Sequence, residues 1–205
     1  MKLTLGPVLF NWSTSAWSDF YARIADEAPI DRVIVGEAVC SKRSPFRIDA
    51  SADVIERLSR GGKEVVIATL ALPTLKREIA EIRDVATGDT LVEVSDVTAL
   101  AAVAGRDHVI GPMFNVYNEA ALQELTALGA TTICLPPELP ITSVAVLGQY
   151  RGAADLEVFA FGRAPLAIAA RCYHARAHGL TKDGCKYVCE LDADEIGRAS
   201  CRERV

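Results

Sequence analysis

Apolar and polar positions along the chain alternate between two patterns: short apolar runs, and longer segments with apolar residues at helical spacing. The runs predict buried strands over residues 3–10, 32–39, 63–72, 91–96, 108–116, 131–139 and 156–163. The segments between them predict helices over residues 13–28, 50–59, 73–85, 97–104, 119–128 and 141–150. Ser13 or Ser15 and Asn118 are the expected N-caps, and Gly61-Gly62 and Gly129 the expected helix ends.

Strands that alternate with helices indicate a parallel sheet. Seven consecutive βα units predict an α/β fold of the (β/α)8 TIM-barrel type. Such barrels typically need about 250 residues, so the chain is expected to be a C-terminally truncated barrel of about seven units. The alternative is an open doubly wound sheet, which is disfavoured because no glycine-rich phosphate loop follows the first strand.

The last residues, 195–205, read EIGRASCRERV and have no hydrophobic period. They look like a translated sequencing adapter, so we expect a non-native tail and a natural protein that continues beyond Asp194. The alternative is a genuine polar tail. On the first interpretation Cys201 is no ligand candidate, and residues 1–194 form a single, incomplete barrel domain.

The composition of the chain bears on which partners it binds and on the cell compartment in which it is expected. The 205 residues carry a formal net charge of −5 and no Lys/Arg-rich run, which argues against nucleic acid. No apolar stretch approaches the about 20 residues of a spanning helix. The N-terminal apolar run contains Gly6 and Pro7 and is interpreted as a strand, not a signal peptide. We therefore expect a cytoplasmic protein whose cysteines are reduced or metal-bound.

Three cysteines, Cys172, Cys185 and Cys189, occupy residues 171–190 with the spacing C-x12-C-x3-C, and a fourth, Cys40, lies far upstream. Cys40 follows the second predicted strand and the others follow the seventh, so the barrel would place all four thiols on its C-terminal face. Soft thiolates bind an iron–sulfur cluster or zinc. The irregular spacing favours a cluster, with zinc as the alternative. His174 and His178, at i and i+4, are expected to be solvated helix residues.

Other polar residues at the strand ends are candidates for substrate chemistry. Lys42 and Arg43 could hold an anionic substrate or offset cluster charge, although a solvated basic loop would explain them as well. Asn115 and Tyr117 are further substrate-binding candidates. Glu37 and Glu138 are the catalytic candidates, although Glu138 could instead be a helix-start carboxylate. Cys134 is expected to be a core thiol. No Ser-His-Asp or Cys-His constellation, Walker loop or dinucleotide fingerprint is visible.

Several segments together resemble the collagenase-like peptidase family, and within it the ubiquinone-biosynthesis (UbiV-like) branch. They are GEAVCSKR (36–43), IATLAL (67–72), FNVYN (114–118), CLPPEL (134–139) and EVFAFGRAPLAIAARC (157–172). The resemblance runs along nearly all of residues 1–189. The first block, together with the C-x12-C-x3-C spacing, is the part most specific to that branch.

This resemblance implies a 4Fe–4S cluster on Cys40, Cys172, Cys185 and Cys189. It implies a heterodimer with a UbiU-like protein, a lipid-binding UbiT-like partner, and oxygen-independent hydroxylation of a quinone precursor with prephenate implicated as oxygen donor. Peptidase activity is not expected, and the chain would be one component of a hydroxylase complex. The alternatives are an RNA-hydroxylation factor of the same family, and an electron-transfer or non-catalytic scaffold subunit.

Overall fold

Strands and helices alternate along the computed structural model, which describes residues 1–165 and 168–192. The strands are β1 Thr4–Leu5, β2 Arg32–Val35, β3 Glu64–Ala68, β4 Val92–Val94, β5 His108–Ile110, β6 Ala130–Cys134 and β7 Asp155–Glu157. The α-helices are α1 Thr14–Glu27, α2 Ile48–Arg60, α3 Lys76–Ala86, α4 Val97–Val103, α5 Glu119–Ala127, α6 Ile141–Tyr150 and α7 Tyr173–Ala177. Three 3-10 helices cover Ser41–Phe46, Pro112–Phe114 and Val188–Asp192. The predicted tail, 195–205, lies outside the described residues.

The seven strands form one parallel sheet in the order β1-β2-β3-β4-β5-β6-β7. Each strand pairs with the next along the chain, with a helix between them, which confirms the predicted parallel α/β fold. A flat sheet would separate its first and last strands by roughly 29 Å, six spacings of about 4.8 Å. The hydroxyl of Thr4 on β1 nevertheless donates to Glu157 Oε2 on β7 at 2.7 Å. The sheet is therefore strongly curled, which is consistent with a truncated TIM-like barrel.

The concave face of the sheet carries a polar layer. Arg32 on β2 donates to the hydroxyl of Thr132 on β6 at 2.9 Å and to Glu64 on β3 at 2.8 Å. Glu93 on β4 is only 3% exposed. Burial raises its pKa to about 8, and the Glu157 carboxylate adds to the rise, while Arg32 opposes it. Glu93 is therefore largely protonated near neutral pH and adds no full charge to the interior.

The convex face of the sheet packs against the helices. Val33 and Val35 alternate with inward-facing residues of β2 and lie against Trp17 and Tyr21 of α1 and Leu58 of α2, all of them buried. A second, larger cluster joins β4–β6 to α3–α6. These contacts hold the strands against the helices and so position the loops that follow the strands.

Several strands are shorter than predicted, for identifiable reasons. The first strand ends at Leu5, because Gly6 and Pro7 follow and proline has no backbone N–H to pair. The fifth ends at Ile110, before Gly111 and Pro112 start a 3-10 helix. The seventh ends at Glu157, and no further strand pairs with it within the described part of the chain.

Most helix boundaries agree with the predicted caps. Ser13 and Asn118 accept hydrogen bonds from the N–H groups of Ala16 and Ala121, as N-caps do. Helix α3 begins at Lys76 and not at the predicted Pro73. Its start is set by Glu78, which reaches back to the N–H groups of the two residues before the helix. Among the described residues, no helix is both long and apolar enough to cross a membrane.

Candidate functional site

A cavity of about 70 Å³ lies over the carboxyl ends of the strands and brings all four predicted thiols together. Its lining includes Cys40 from the loop after β2 and Cys172, Cys185 and Cys189 from the segment after β7. Asn11, Lys42, Arg43 and His174 contribute polar groups to the same lining. The predicted convergence of distant cysteines on one face of the sheet is therefore present in the structure.

The loop that carries Cys40 begins with a backbone conformation that favours glycine. Gly36 has φ +128°, and a Cβ there would lie 3.3 Å from the backbone N and O of Ala68. The Glu37 carboxylate then accepts from the N–H groups of Val39 and Cys40 at 2.9 and 3.0 Å. The chain thus folds tightly around Glu37, and the thiol of Cys40 is held at the cavity.

Two buried guanidinium groups face the same carboxylate. Arg43 Nη2 lies 2.5 Å from Glu37 Oε1, and Arg47 Nη1 lies 3.8 Å from Glu37 Oε2. Their other donors reach the carbonyls that follow β1: Arg43 Nη1 donates to Leu9 at 3.0 Å and Arg47 Nη2 to Phe10 at 2.8 Å. The two bonds to these carbonyls join the loop after β1 to the segment after β2.

A second set of hydrogen bonds anchors Ser41, the residue next to Cys40. The Ser41 hydroxyl donates to Glu78 Oε1 at 2.6 Å, and Glu78 Oε2 accepts from the N–H groups of Thr74 and Leu75 at 2.7 and 3.0 Å. Burial alone would raise the pKa of Glu78, but the hydrogen bonds from Ser41 and the two backbone donors lower it to about 2. The ionised Glu78 carboxylate therefore links the loop after β2 to the start of α3 through hydrogen bonds.

The segment with three cysteines is a compact unit built on short helices. Cys172 is the N-cap of α7, and its Sγ accepts from the N–H of Ala175 at 3.5 Å. His174 is buried, and its Nε2 lies 3.1 Å from the carbonyl of Val188, which ties α7 to the 3-10 helix bearing Cys189. His174 is therefore not the solvated residue that its helical spacing predicts. His178 is exposed, as predicted.

Backbone strain is concentrated in this segment. Cys172, Lys186 and Tyr187 have φ of 46°, 51° and 53°, in the left-handed region that residues with a side chain seldom occupy. Such conformations persist only where surrounding contacts fix them, and they cluster at functional sites. The left-handed turn at 186–187 lies between Cys185 and Cys189 and reverses the chain there.

The cysteine segment contacts the mouth of the curled sheet through polar groups directed at sulfur. Asn11 Nδ2 donates to Cys189 Sγ at 3.3 Å. Lys42 Nζ donates to the carbonyls of Lys182 and Asp183 at 3.0 and 2.9 Å and lies 3.5 Å from Cys185 Sγ. Lys42 is thus fully engaged with the cysteine segment.

Opposing effects act on the pKa values of two thiols, Cys40 and Cys189. Burial raises the pKa of Cys40, while a backbone hydrogen bond and the positive charge of Arg43 oppose the rise. Burial also raises the pKa of Cys189, against the charge of Arg43 and the hydrogen bond from Asn11. A bound metal displaces the proton of a coordinating thiol outright, so these same donors would serve the thiolate form.

The donor set suits a thiolate-bound cofactor. Thiolates are the ligands of iron–sulfur clusters, and N–H groups directed at the sulfurs are the contacts that tune such centres. In the part of the chain that the structure describes, no three His, Cys, Asp or Glu side chains are placed to hold a metal ion. The four thiols line one cavity, and donors face Cys185 and Cys189. The residue types present therefore suit a thiolate-bound cofactor, although their described positions do not form a closed ligand set.

The remaining candidates lie in two other places. Tyr117 donates a short hydrogen bond to Glu138, and it lines a separate groove of about 250 Å³ between the starts of α5 and α6. Asn115 follows the 3-10 helix at φ 63°. Neither these three residues nor Cys134, which is buried in β6 as predicted, line the thiol cavity.

The sequence analysis predicts no role at the thiol site for Asn11 or Glu78, and it predicts a solvated His174. A signal existed for Glu78, since T-L-x-x-E before a helix is close to a capping box. For Asn11 and His174 no local pattern indicates the partner.

The profile of the family described as Peptidase family U32 matches residues 16–197. No solved structure matches the chain.

Proposed function

The chain belongs to peptidase family U32, and from that premise we propose that it is an iron–sulfur subunit for oxygen-independent hydroxylation in ubiquinone biosynthesis. The observation that carries the proposal is the shared cavity of Cys40, Cys172, Cys185 and Cys189. The collagenase-like family resemblance seen in the sequence is confirmed by the profile match. The UbiV-like branch, the cofactor and the partners are part of the proposal.

The four cysteines would hold a 4Fe–4S cluster, one thiolate for each iron. When bound, such a cluster supplies one-electron redox chemistry. With four cysteine ligands no iron keeps a vacant position for a protein ligand, which favours electron transfer over direct binding of an oxygen donor. The family name refers to peptidases, but the proposal assigns this chain no peptide hydrolysis.

The chain's own residues have defined tasks in this function. Glu37 and Glu78 hold the loop that presents Cys40, and His174 holds α7 against the 3-10 helix that presents Cys189. Asn11 and Lys42 donate to sulfur, and such donors stabilise the reduced, more negative state of a centre. The apolar walls that complete the cavity would limit access of water to the sulfurs.

The partners follow from the branch resemblance. We propose a heterodimer with a UbiU-like protein, delivery of the quinone precursor by a UbiT-like lipid-binding protein, and prephenate as the oxygen donor. Lys42 and Arg43 were substrate-binding candidates in the sequence. Their observed bonds to the cysteine segment and to Glu37 support a role in the thiol site instead.

The test is quinone synthesis in an anaerobically grown strain that lacks the gene. The wild-type chain should restore ubiquinone, and Cys172→Ala should not, because one cluster ligand is lost. Cys134→Ala removes a buried thiol outside the cavity and is the matched control, expected to restore ubiquinone. Normal ubiquinone together with the loss of a modified nucleoside in the deletion strain would contradict the proposal and favour RNA hydroxylation.

A further inference from the structure

Lys42 connects the loop after β2 to the segment that carries three of the four cysteines. Its Nζ donates to the carbonyls of Lys182 and Asp183 at 3.0 and 2.9 Å, and it lies 3.5 Å from Cys185 Sγ. A lysine ammonium has three donors, and here all three acceptors belong to residues 182–185. Lys42 therefore holds the stretch of chain that leads into Cys185.

Tyr187 makes the return contacts to the same part of the loop. Its hydroxyl donates to the carbonyl of Lys42 at 3.4 Å, and Lys42 Nζ lies 5.7 Å from the centroid of its ring, within the range of cation–π attraction. The ring also packs edge-to-face on Phe46, with centroids 5.1 Å apart. Lys42 and Phe46 belong to one 3-10 helix, Ser41–Phe46, so a single short helix holds both ends of the Tyr187 side chain.

These contacts hold a strained turn. Lys186 and Tyr187 have φ of 51° and 53°, and two successive residues with side chains in the left-handed region persist only where surrounding contacts fix them. The side-chain contacts that fix Tyr187 are those with the 3-10 helix after β2. The turn lies between Cys185 and Cys189, so its conformation determines how these two thiols are spaced.

The two thiols differ in what else supports them. Asn11 donates to Cys189 Sγ, and His174 contacts the carbonyl of Val188, the residue before Cys189. Cys185 instead lies between the stretch that Lys42 holds and the left-handed turn that Tyr187 holds. Its position is therefore the one that depends most on the contacts of Lys42 and Tyr187.

We propose that Lys42 and Tyr187 form a reciprocal pair that keeps the turn at residues 186–187 in its strained conformation and so places Cys185 at the thiol cavity. Both are positioning residues, because they act through the location of Cys185. The inference rests on the proposed function for the cofactor that Cys185 binds, whereas the pair itself is a property of the chain alone.

The first test needs no cofactor. Amide hydrogen exchange of the full chain, freed of metal by a chelator, is followed by mass spectrometry of its peptides. Lys42→Met keeps a long side chain without the ammonium, so exchange at residues 180–190 should become about tenfold faster, the order expected when a charged donor leaves its acceptors. Peptides from β2–β6 should keep their wild-type rates.

The matched control is Lys76→Met, which removes an exposed lysine of α3 and should leave all rates unchanged. Wild-type exchange at residues 180–190 in Lys42→Met would overturn the inference. Faster exchange throughout the sheet would also overturn it, because Lys42 would then support the fold as a whole and not the cysteine segment.

A variant of the turn should have the opposite effect. Lys186→Gly places at the left-handed position the one residue that has no Cβ to strain it, so exchange at residues 180–190 should become about threefold slower. Faster exchange in this variant would show that the turn is not strained, and would contradict the role given to the pair.

A double-mutant cycle tests whether the two residues act together. Tyr187→Leu removes the ring and the hydroxyl and should speed exchange at residues 180–190. If Lys42 and Tyr187 form one unit, Lys42→Met combined with Tyr187→Leu should speed exchange by less than the product of the two single effects. A double variant that shows the full product would mean that the two residues act independently, and would overturn the inference.

The last test uses chain reconstituted anaerobically with iron and sulfide, and measures the release of iron to a chelator. Tyr187→Leu keeps all four cysteines and every charge, yet it should release iron faster than the wild type because the site is less preorganised. Lys42→Met should behave alike, and Lys42→Arg, which keeps a cationic donor, should stay closer to the wild type. A wild-type rate of release in Tyr187→Leu would overturn the inference. Wild-type chain that takes up no cluster, yet shows the predicted exchange pattern, would refute the cofactor of the proposed function and leave the Lys42–Tyr187 pair supported.

Discussion

Asn11 Nδ2 donates to Cys189 Sγ at 3.3 Å, across 178 positions of the chain. Asn11 belongs to the loop after the first strand, whereas Cys189 belongs to the 3-10 helix near the end of the described residues. The contact joins the loop after β1 to the segment after β7 at the sulfur of a proposed ligand. It makes the loop after β1 a component of the thiol site, although that loop contributes no cysteine.

Replacing Asn11 tests this contact. Asn11→Leu removes the N–H donor at similar size, so a cluster bound at Cys189 should become harder to reduce, because the donor stabilises the extra negative charge. We expect a lower reduction potential by redox titration, with unchanged iron content. Asn11→Gln keeps an amide and should shift the potential less. A potential equal to that of the wild type in Asn11→Leu would show that the bond does not reach the cluster.

The Ser41–Glu78 bond should contribute to global stability. Ser41→Ala leaves one oxygen of a buried, ionised carboxylate without its donor, and we expect a loss of about 1–3 kcal/mol in the free energy of unfolding. Urea denaturation measures it. Ser59→Ala, in an exposed position of α2, is the matched control and should change stability by less than about 0.5 kcal/mol. Equal small effects in both variants would show that Glu78 is not held by Ser41.

The bond between the two edge strands can be tested in the same way. Thr4→Val keeps the shape of the side chain but removes the donor to Glu157, and a loss of about 1–2 kcal/mol is expected for a hydrogen bond to a carboxylate. Thr4→Ser retains the hydroxyl and should stay closer to the wild type. Thr4→Val with wild-type stability would mean that the curl of the sheet does not depend on this bond.

Glu93 should make the free energy of unfolding fall as the pH rises. Its pKa is raised from 4.5 to about 8 in the folded chain, so between these values the unfolded state releases a proton that the folded state keeps. The stabilisation from this group is complete below about pH 4.5 and is lost as the pH rises towards 8. Denaturant unfolding from pH 5 to 9 should show a fall in stability for the wild type and a flatter profile for Glu93→Gln. Parallel profiles would contradict the assignment.

The sequence predicted the fold well because periodicity reports burial. Runs such as RVIV at 32–35 are buried on both faces, and a parallel sheet between helices is the arrangement that such runs favour. Strand length was predicted less well at Gly6-Pro7 and Gly111-Pro112, where an apolar run continues but the backbone cannot keep pairing. Composition alone does not distinguish an apolar strand from an apolar loop after it.

The site was predicted in part. Cys40 and the three later cysteines could be placed on one face because all βα loops of a parallel sheet end there. The groups that hold them could not, because Glu78, Asn11 and His174 act through single contacts to distant loops that leave no periodic signal. Arg43 was a candidate, but its pairing with Glu37 and its burial became visible only in the structure.

The most direct test is the metal content of the wild-type chain purified without oxygen. The proposed function predicts about four irons and four acid-labile sulfides per chain, as a 4Fe–4S cluster requires, with an EPR signal on reduction that is absent from Cys172→Ala. Stoichiometric zinc with no iron or sulfide, in the same anaerobic material, would contradict it.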